Sequence, residues 1–395
     1  MIPLMRNTFF NEKEVKQKLS EYILDSNILS MNQKCFEFEK KFADYQNTNF
    51  ATLFNSGGSA NLALLQSLKN LGKLKDGDKI GFSALTWSTN VMPIIQMGFE
   101  PVPIDIDYNT LNVMSYNLHE RLKELDLDGL FLTNVLGFLG DLDIILQICD
   151  EKNILLIEDN CESLGAELPS GKSGNFGLGS SFSFYVAHHM STIEGGMLCS
   201  MDEELTEMLR IVRANGWDRN LSLDQQKKWR TKYKNDDFFS KYSFYDLGFN
   251  VRPTNITGFL GLEQLNYIDE IINLKTENFK LLNNEIKNNP DLHELKYDHM
   301  SKTSPFSIPI VCKSVQLRNK YVEIFTKNTL IDIFPLGPFN VTSFIEDINN
   351  RIPGIANENI SDTDNLVRII SSHIYNVSVW HEQIGNMSWY ILHPG

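Results

Sequence analysis

The sequence predicts an α/β protein: a large domain on a mostly parallel sheet, followed by a smaller C-terminal α/β domain. Three observations carry this. Strand-like and helix-like segments alternate from residue 49 to residue 200, the pattern of parallel strands joined by covering helices. Runs such as Ile154-Leu155-Leu156-Ile157 are apolar throughout, as strands buried on both faces are. A chain of 395 residues exceeds what one small core organises, so two domains are expected. We place an N-terminal arm and the large domain in residues 1–270, and a linking helix and the small domain in residues 271–395.

The elements follow in order. Glu14 to Ile23 and Cys35 to Tyr45 read as helices, and Asn49 to Asn55 as a buried strand. Ser56-Gly57-Gly58-Ser59 then leads into a helix from Ala60 to Lys69. Strands are expected at Asp78 to Leu85, Pro101 to Asp105, Gly129 to Val135 and Ile154 to Ile157, with helices between them. Ser181 to Tyr185 alternates small polar and large apolar residues, a period-2 strand signal. Gly195-Gly196 opens a second apolar run, so Ser180 to Cys199 reads as two strands around a polar loop. Glu203 to Ala214 is an amphipathic helix with a C-cap at Asn215-Gly216. The cations Lys227, Lys228, Arg230, Lys232 and Lys234 suit either a lid that meets an anion or a solvated insertion. Ile256 to Asn289, free of proline, reads as one long helix. The small domain is expected to hold strands at Phe306 to Val311, Leu330 to Phe334 and Ile374 to Trp380, and helices at Gln316 to Thr326 and Thr363 to Ser372.

Composition excludes several functions. The formal net charge is −14, which argues against non-specific nucleic-acid binding. No apolar run reaches membrane-spanning length, and the start lacks the pattern of a signal peptide. Cys35, Cys149, Cys161, Cys199 and Cys312 are scattered and odd in number, so neither disulfides nor a thiolate metal site is expected and the cytoplasm is the expected compartment.

Four marks bear on chemistry. A strand, a Gly/Ser turn and a helix at Asn49 to Lys69 aim backbone N–H groups at an anion, commonly phosphate, or form an ordinary tight turn. Trp87 follows a strand's carboxyl end, where open sheets place ligands, and is either a stacking platform or core. Glu158, Asp159 and Glu162 gather at another strand end; Asp159 either holds a proton on a heteroaromatic nitrogen or caps a helix. His188 and His189 sit in the polar loop with Ser191, Thr192 and Glu194, either surface groups or functional ones.

Together, Asn55 to Asn61, Glu158 to Glu162, Ser181 to Gly196 and Phe249 to Asn255 resemble the sugar aminotransferase family of nucleotide-sugar biosynthesis, whose members are fold-type I pyridoxal phosphate (PLP) enzymes. The resemblance implies an aspartate aminotransferase-like large domain. Gly57, Gly58, Ser59 and Ser183 would hold the cofactor phosphate, although the family usually has Ser or Thr where Gly58 stands. Trp87 would stack on the pyridine ring, Asp159 would pair with its nitrogen, and Glu162 would assist at its hydroxyl. Asn250 would reach the phosphate of a neighbouring subunit, which implies a homodimer with shared active sites. Arg219 and Arg252 would bind the nucleotide diphosphate or a glutamate carboxylate.

The departure is at His188, where the family carries its imine-forming lysine; Lys172 and Lys228 are the flanking lysines. Imidazole forms no stable imine but moves protons near neutral pH. Tyr185 to Gly196, with Asn215 to Arg219 and Glu158 to Ser163, resembles the lysine-less branch, the nucleotide-sugar 3-dehydratases, and its GDP-sugar members above all. That likeness implies loss of the C3 hydroxyl from a nucleotide-linked 4-keto sugar in deoxysugar biosynthesis. Glutamate would convert the cofactor to pyridoxamine phosphate, His188 would be the base, and ammonia would be released. The iron–sulfur route of a sister branch needs clustered cysteines after Arg219, which are absent. Phe334-Pro335 stands where relatives carry Arg-Pro, so a heptose or another variant sugar is conceivable. The rivals are an aminotransferase that leaves nitrogen on the sugar and a catalytically silent cofactor-binding protein.

Overall fold

The computed structural model describes residues 7–327 and 389–392. Two arm helices, α1 (Glu12–Asp25) and α2 (Gln33–Gln46), precede β1 (Phe50–Phe54) and α3 (Gly57–Asn70). There follow β2 (Lys79–Ser83), α4 (Ser88–Gln96), β3 (Glu100–Ile104), α5 (Ser115–Arg121), β4 (Gly129–Thr133), α6 (Leu142–Lys152) and β5 (Leu155–Asp159). A two-stranded ribbon, β6 (Glu167–Leu168) and β7 (Gly171–Lys172), leads to β8 (Ser180–Ser183) and β9 (Gly196–Ser200). After α7 (Glu203–Val212), α8 (Leu223–Lys232) and α9 (Asp237–Ser240) come α10 (Asn255–Leu265) and α11 (Ile268–Lys287). The last described elements are β10 (Leu292–His293), β11 (Ile308–Cys312), α12 (Val315–Lys327) and β12 (Trp389–Leu392).

The main sheet has seven strands in the order β1-β9-β8-β5-β4-β2-β3. β9 is antiparallel to both of its neighbours, and every other pairing is parallel. The carboxyl ends of β1, β2, β4, β5 and β8 therefore open on one edge, where β9 begins. One face is filled by α3, α4 and α7 through Leu64, Ile94 and Leu209 against Phe82 and Phe131. The other carries α2 and α11 through Phe38, Phe42 and Ile272 against Phe182 and Met197. The expected α/β class and mostly parallel sheet are what the structure has. β10, β11 and β12 form a three-stranded antiparallel sheet, and its Ile308 and Ile310 share a core with Phe138 and Phe279. The expected strands at Leu330 to Phe334 and Ile374 to Trp380, the helix at Thr363 to Ser372 and the Phe334-Pro335 pair lie outside the described residues.

One expectation is corrected. The single helix over Ile256 to Asn289 is two helices, interrupted at Asn266-Tyr267. Tertiary packing makes the break without proline. α10 lies against α2, where a Cβ on Gly258 or Gly261 would stand 2.5 Å or less from the Cys35 nitrogen and the Phe38 ring. α11 turns instead to the sheet and the small unit through Ile272 and Phe279. The basic cluster is a solvated surface segment, one of the two expected readings: Lys227, Lys228, Lys232 and Lys234 are exposed. It runs along α8, opened by a Ser222–Gln225 capping box, and the turn after it. Trp229 is buried there and donates to Glu207 at 3.1 Å, while Arg230 pairs with Asp218 at 3.0 Å.

α7 is anchored by a buried ion pair. Arg213 Nη1 donates to Glu39 Oε1 on α2 at 2.5 Å and to the Leu53 carbonyl on β1 at 2.6 Å. Glu39 Oε1 also accepts the Leu53 N–H at 2.9 Å. Removing one partner of such a pair strands a charge out of water. Arg213→Met is expected to cost about 3–5 kcal/mol, read from urea unfolding. Adding Glu39→Gln should recover part of that loss; simple additivity of the two changes would contradict the coupling.

Candidate active site

The site is built where the strand ends meet. On β5 successive side chains face opposite ways, so two adjacent acids part. Glu158 is buried and accepts N–H bonds from Gly174, Phe176 and Gly177, each at 2.9 Å, and one from Asn134 Nδ2 at 3.1 Å. Burial pushes its carboxyl above the usual range, against those bonds. It shapes the loop before β8. Asp159 faces the helices instead. Its Oδ2 accepts from Asn61 at 2.8 Å and Asn90 at 2.7 Å, and its Oδ1 from the Cys161 N–H at 2.8 Å. Glu162, the third acid, turns to the Leu136 N–H at 2.8 Å.

The Gly/Ser turn lies beside Asp159. Ser56 is the N-cap of α3: its Oγ accepts the Ser59 N–H at 3.0 Å and meets the Ser59 hydroxyl at 3.0 Å. A Cβ on Gly57 would stand 2.8 Å from Ser183 Cβ and 2.9 Å from Cys161 Sγ. A Cβ on Gly196, at the start of β9, would stand 2.3 Å from the Ser56 carbonyl. Only glycines let the turn nest this closely between β8 and β9. Gly58 faces Thr89 on α4, and Trp87 is the N-cap residue of α4, 70% exposed at the mouth.

His188 completes the cluster from the loop between β8 and β9. That loop is pinned by Phe184 N–H to Gly195, Thr192 N–H to Phe184 and His188 N–H to Tyr185, at 2.8–2.9 Å. It holds β-branched Ile193 at φ 71°, a strained conformation of the kind stored at functional sites. His188 Nδ1 lies 2.5 Å from the Cys161 carbonyl. A carbonyl only accepts, so Nδ1 carries the proton and Nε2 keeps the lone pair. Burial lowers the imidazole's pKa, opposed by the Cys161 bond and by Asp159. His189 is buried and bonds the Ser304 carbonyl at 3.0 Å through Nε2, a structural tie.

The structure thus brings Gly57, Gly58, Ser59, Asp159, Glu162, Ser183 and His188 together, with Trp87 at the rim. Asn250 and Arg252 flank the turn by way of Val251, whose carbonyl accepts the Asn55 N–H at 3.1 Å, and Arg252 Nε bonds Asn250 Oδ1 at 3.2 Å. The Arg219 guanidinium lies over the Trp217 ring at 5.2 Å. Lys172 donates to the Tyr45 carbonyl at 2.5 Å and Lys228 pairs with Glu207 at 3.2 Å. Sequence reasoning missed Asn61, Asn90 and the Cys161 carbonyl as site groups. Ser56 was missed as a cap too; a serine directly before a helix was the available signal. Among the described residues no group of three side chains is arranged to hold a metal ion, and all five cysteines are free thiols.

This fold and this edge define a class: the chain belongs to the DegT/DnrJ/EryC1/StrS aminotransferase family, whose profile matches residues 11–336. Among particular relatives, it is 33% identical over 324 residues to GDP-4-keto-6-deoxy-D-mannose 3-dehydratase of Escherichia coli O55:H7, covering 81% of this chain and 82% of that one. The solved E. coli GDP-4-keto-6-deoxy-D-mannose-3-dehydratase with bound hydrated PLP has a TM-score of 0.79 at 30% identity, over 88% of each chain. A GDP-4-keto-6-deoxymannose-3-dehydratase with a trapped PLP-glutamate geminal diamine gives 0.78 at 30% identity, over 87% of this chain and 89% of that one.

Glu162 gives the site a pH signature. Burial raises its carboxyl from 4.5 to about 7, with Asp159's charge adding and the Leu136 N–H opposing. The folded state therefore binds this proton more tightly than the unfolded state. Its contribution to stability is full below pH 4.5 and is lost as pH rises through about 7. In the cofactor-free protein, urea stability should fall across that window relative to Glu162→Gln. Parallel curves would contradict the assignment.

Proposed function

We propose that this chain is a PLP-dependent 3-dehydratase of a GDP-linked 4-keto-6-deoxy sugar, with glutamate as amino donor and ammonia released. The observation that carries it is His188: an imidazole with a free Nε2 stands on the strand-end edge beside Asp159 and the Gly/Ser turn.

The residues fit the cofactor. The turn offers α3's first N–H groups with the hydroxyls of Ser56, Ser59 and Ser183 for a phosphate. At the other end, Asn61 and Asn90 hold Asp159 by their amide N–H groups, and their buried amide oxygens have no partner among the described residues; Asp159 is the acceptor for a ring N–H. In this reading Gly57, Gly58, Ser59 and Ser183 hold the phosphate, Asp159 holds the ring nitrogen, Glu162 lies toward the ring hydroxyl and Trp87 covers a ring face. Bound there, the cofactor supplies an amine for the sugar ketone and an electron-accepting ring. His188 takes a proton at Nε2 and returns one, while the Cys161 carbonyl keeps the tautomer fixed. Arg252 and Arg219 take the anions of nucleotide and glutamate.

We assign a homodimer in which Asn250 reaches the partner's phosphate. Phe238, Phe239, Tyr242, Phe244 and Leu247 are large apolar side chains exposed within ten residues of chain, and a subunit interface would cover them. No helix of the described residues is long and apolar enough to cross a membrane, and we place the enzyme in the cytoplasm.

With PLP, glutamate and a GDP-4-keto-6-deoxyhexose, the protein should yield ammonia, 2-oxoglutarate and a product one oxygen poorer by mass. His188→Asn should lower kcat by about 100-fold or more. His188→Lys should capture the cofactor covalently and suppress deoxygenation. A stable 4-amino sugar as the parent's main product would favour the aminotransferase reading, and no response to PLP and glutamate would favour a silent binder.

A further inference from the structure

Behind the site, the loop from Thr303 to Phe306 is clasped from several elements. Thr276 on α11 donates to the Thr303 carbonyl at 3.1 Å, and His189 bonds the Ser304 carbonyl at 3.0 Å. Phe306 N–H donates to the Leu136 carbonyl at 3.0 Å. Lys275, also on α11, donates from Nζ to the Phe306 carbonyl at 3.3 Å. The Phe306 ring in turn lies 5.0 Å from the His188 ring, tilted by 39°. Among the described residues no carboxylate pairs with the Lys275 amine, and burial alone brings its pKa down to about 8.

We propose that Lys275 is a positioning residue for His188: its ammonium holds the Phe306 carbonyl, sets that ring against the imidazole, and stands as an uncompensated positive charge beside it. This rests on His188 being the proton-transfer group. A neighbouring cation opposes a second positive charge, so Lys275 favours the neutral imidazole with its Nε2 lone pair.

The other groups around His188 are accounted for. Asp159 at the end of β5 and the Cys161 carbonyl favour its protonated form, while burial and Lys275 disfavour it. Tyr185 presents a ring edge at 6.2 Å, and His189 lies across Phe306, 6.3 Å from that ring. Glu162 and the Cys161 thiol sit on the turn that supplies the carbonyl, and neither forms a hydrogen bond to the imidazole among those described. Among the described residues Lys275 is thus the cation from a packed element that acts with burial and against Asp159.

The test is an NMR titration of histidine-labelled, cofactor-free protein, with the His188 signal assigned by its loss in His188→Asn. Lys275→Met and Lys275→Gln remove the charge; Lys275→Arg keeps it. Near-uv circular dichroism establishes that each variant is folded, and either neutral variant suffices. The His188 midpoint should move to higher pH in Met and Gln and stay in place in Arg. One midpoint shared by all folded proteins, or an equal rise in Arg, would overturn the proposal. In the loaded enzyme the acid limb of kcat/KM should move to higher pH in the same two variants. Because the titration needs no turnover, a midpoint that moves in a protein making no deoxysugar would sustain the Lys275 assignment and reject the reaction.

Discussion

The hydrogen bond from His188 Nδ1 to the Cys161 carbonyl decides which imidazole nitrogen is left for chemistry. It fixes the tautomer, and it fixes the ring to the turn that follows β5. That turn is set in place by Asp159, whose Oδ1 accepts the Cys161 N–H while Oδ2 is held by Asn61 and Asn90. The proposed base and the proposed ring-nitrogen partner are therefore two ends of one rigid unit. A displacement of β5 would move both together.

The rest of the fold serves that unit by closeness. Gly57 and Gly196 let the α3 turn lie against β8 and β9 at distances that a Cβ would forbid. Glu158 ties the loop that feeds β8, and the Arg213–Glu39 pair ties α7 to β1 and α2. Burying such polar and charged groups is costly unless each is met by hydrogen bonds. Glu158 accepts bonds from three backbone N–H groups and an amide. Arg213 is less fully met, with Nε and Nη2 unpartnered among the described residues, which makes that pair sensitive to loss of either side.

Much of this was legible in the sequence. Alternating apolar segments gave the sheet because strands buried on both faces leave an unmistakable pattern. The glycine turn and the strand-end acids were legible because their chemistry is local. His188 stood out only against a family resemblance, since a histidine in a polar loop says little alone. What stayed hidden depends on contacts distant in sequence. The break at Asn266-Tyr267 follows from two packing surfaces, not from a helix-breaking residue. The divergence of Glu158 from Asp159 follows from strand alternation, and that of Glu162 from the turn beyond β5. Lys275 reaches the site through a carbonyl and an aromatic ring on a third segment, a relation that no spacing rule encodes.

The central claim is that no amine of this protein takes the cofactor covalently, because an imidazole occupies the place of the amine. It is tested most directly by reducing the PLP-loaded protein with borohydride and mapping its peptides by mass. The expected result is no pyridoxyl adduct on any lysine, with the cofactor recovered free. A pyridoxyl group on a lysine, Lys275 being the one placed next to His188, would contradict it.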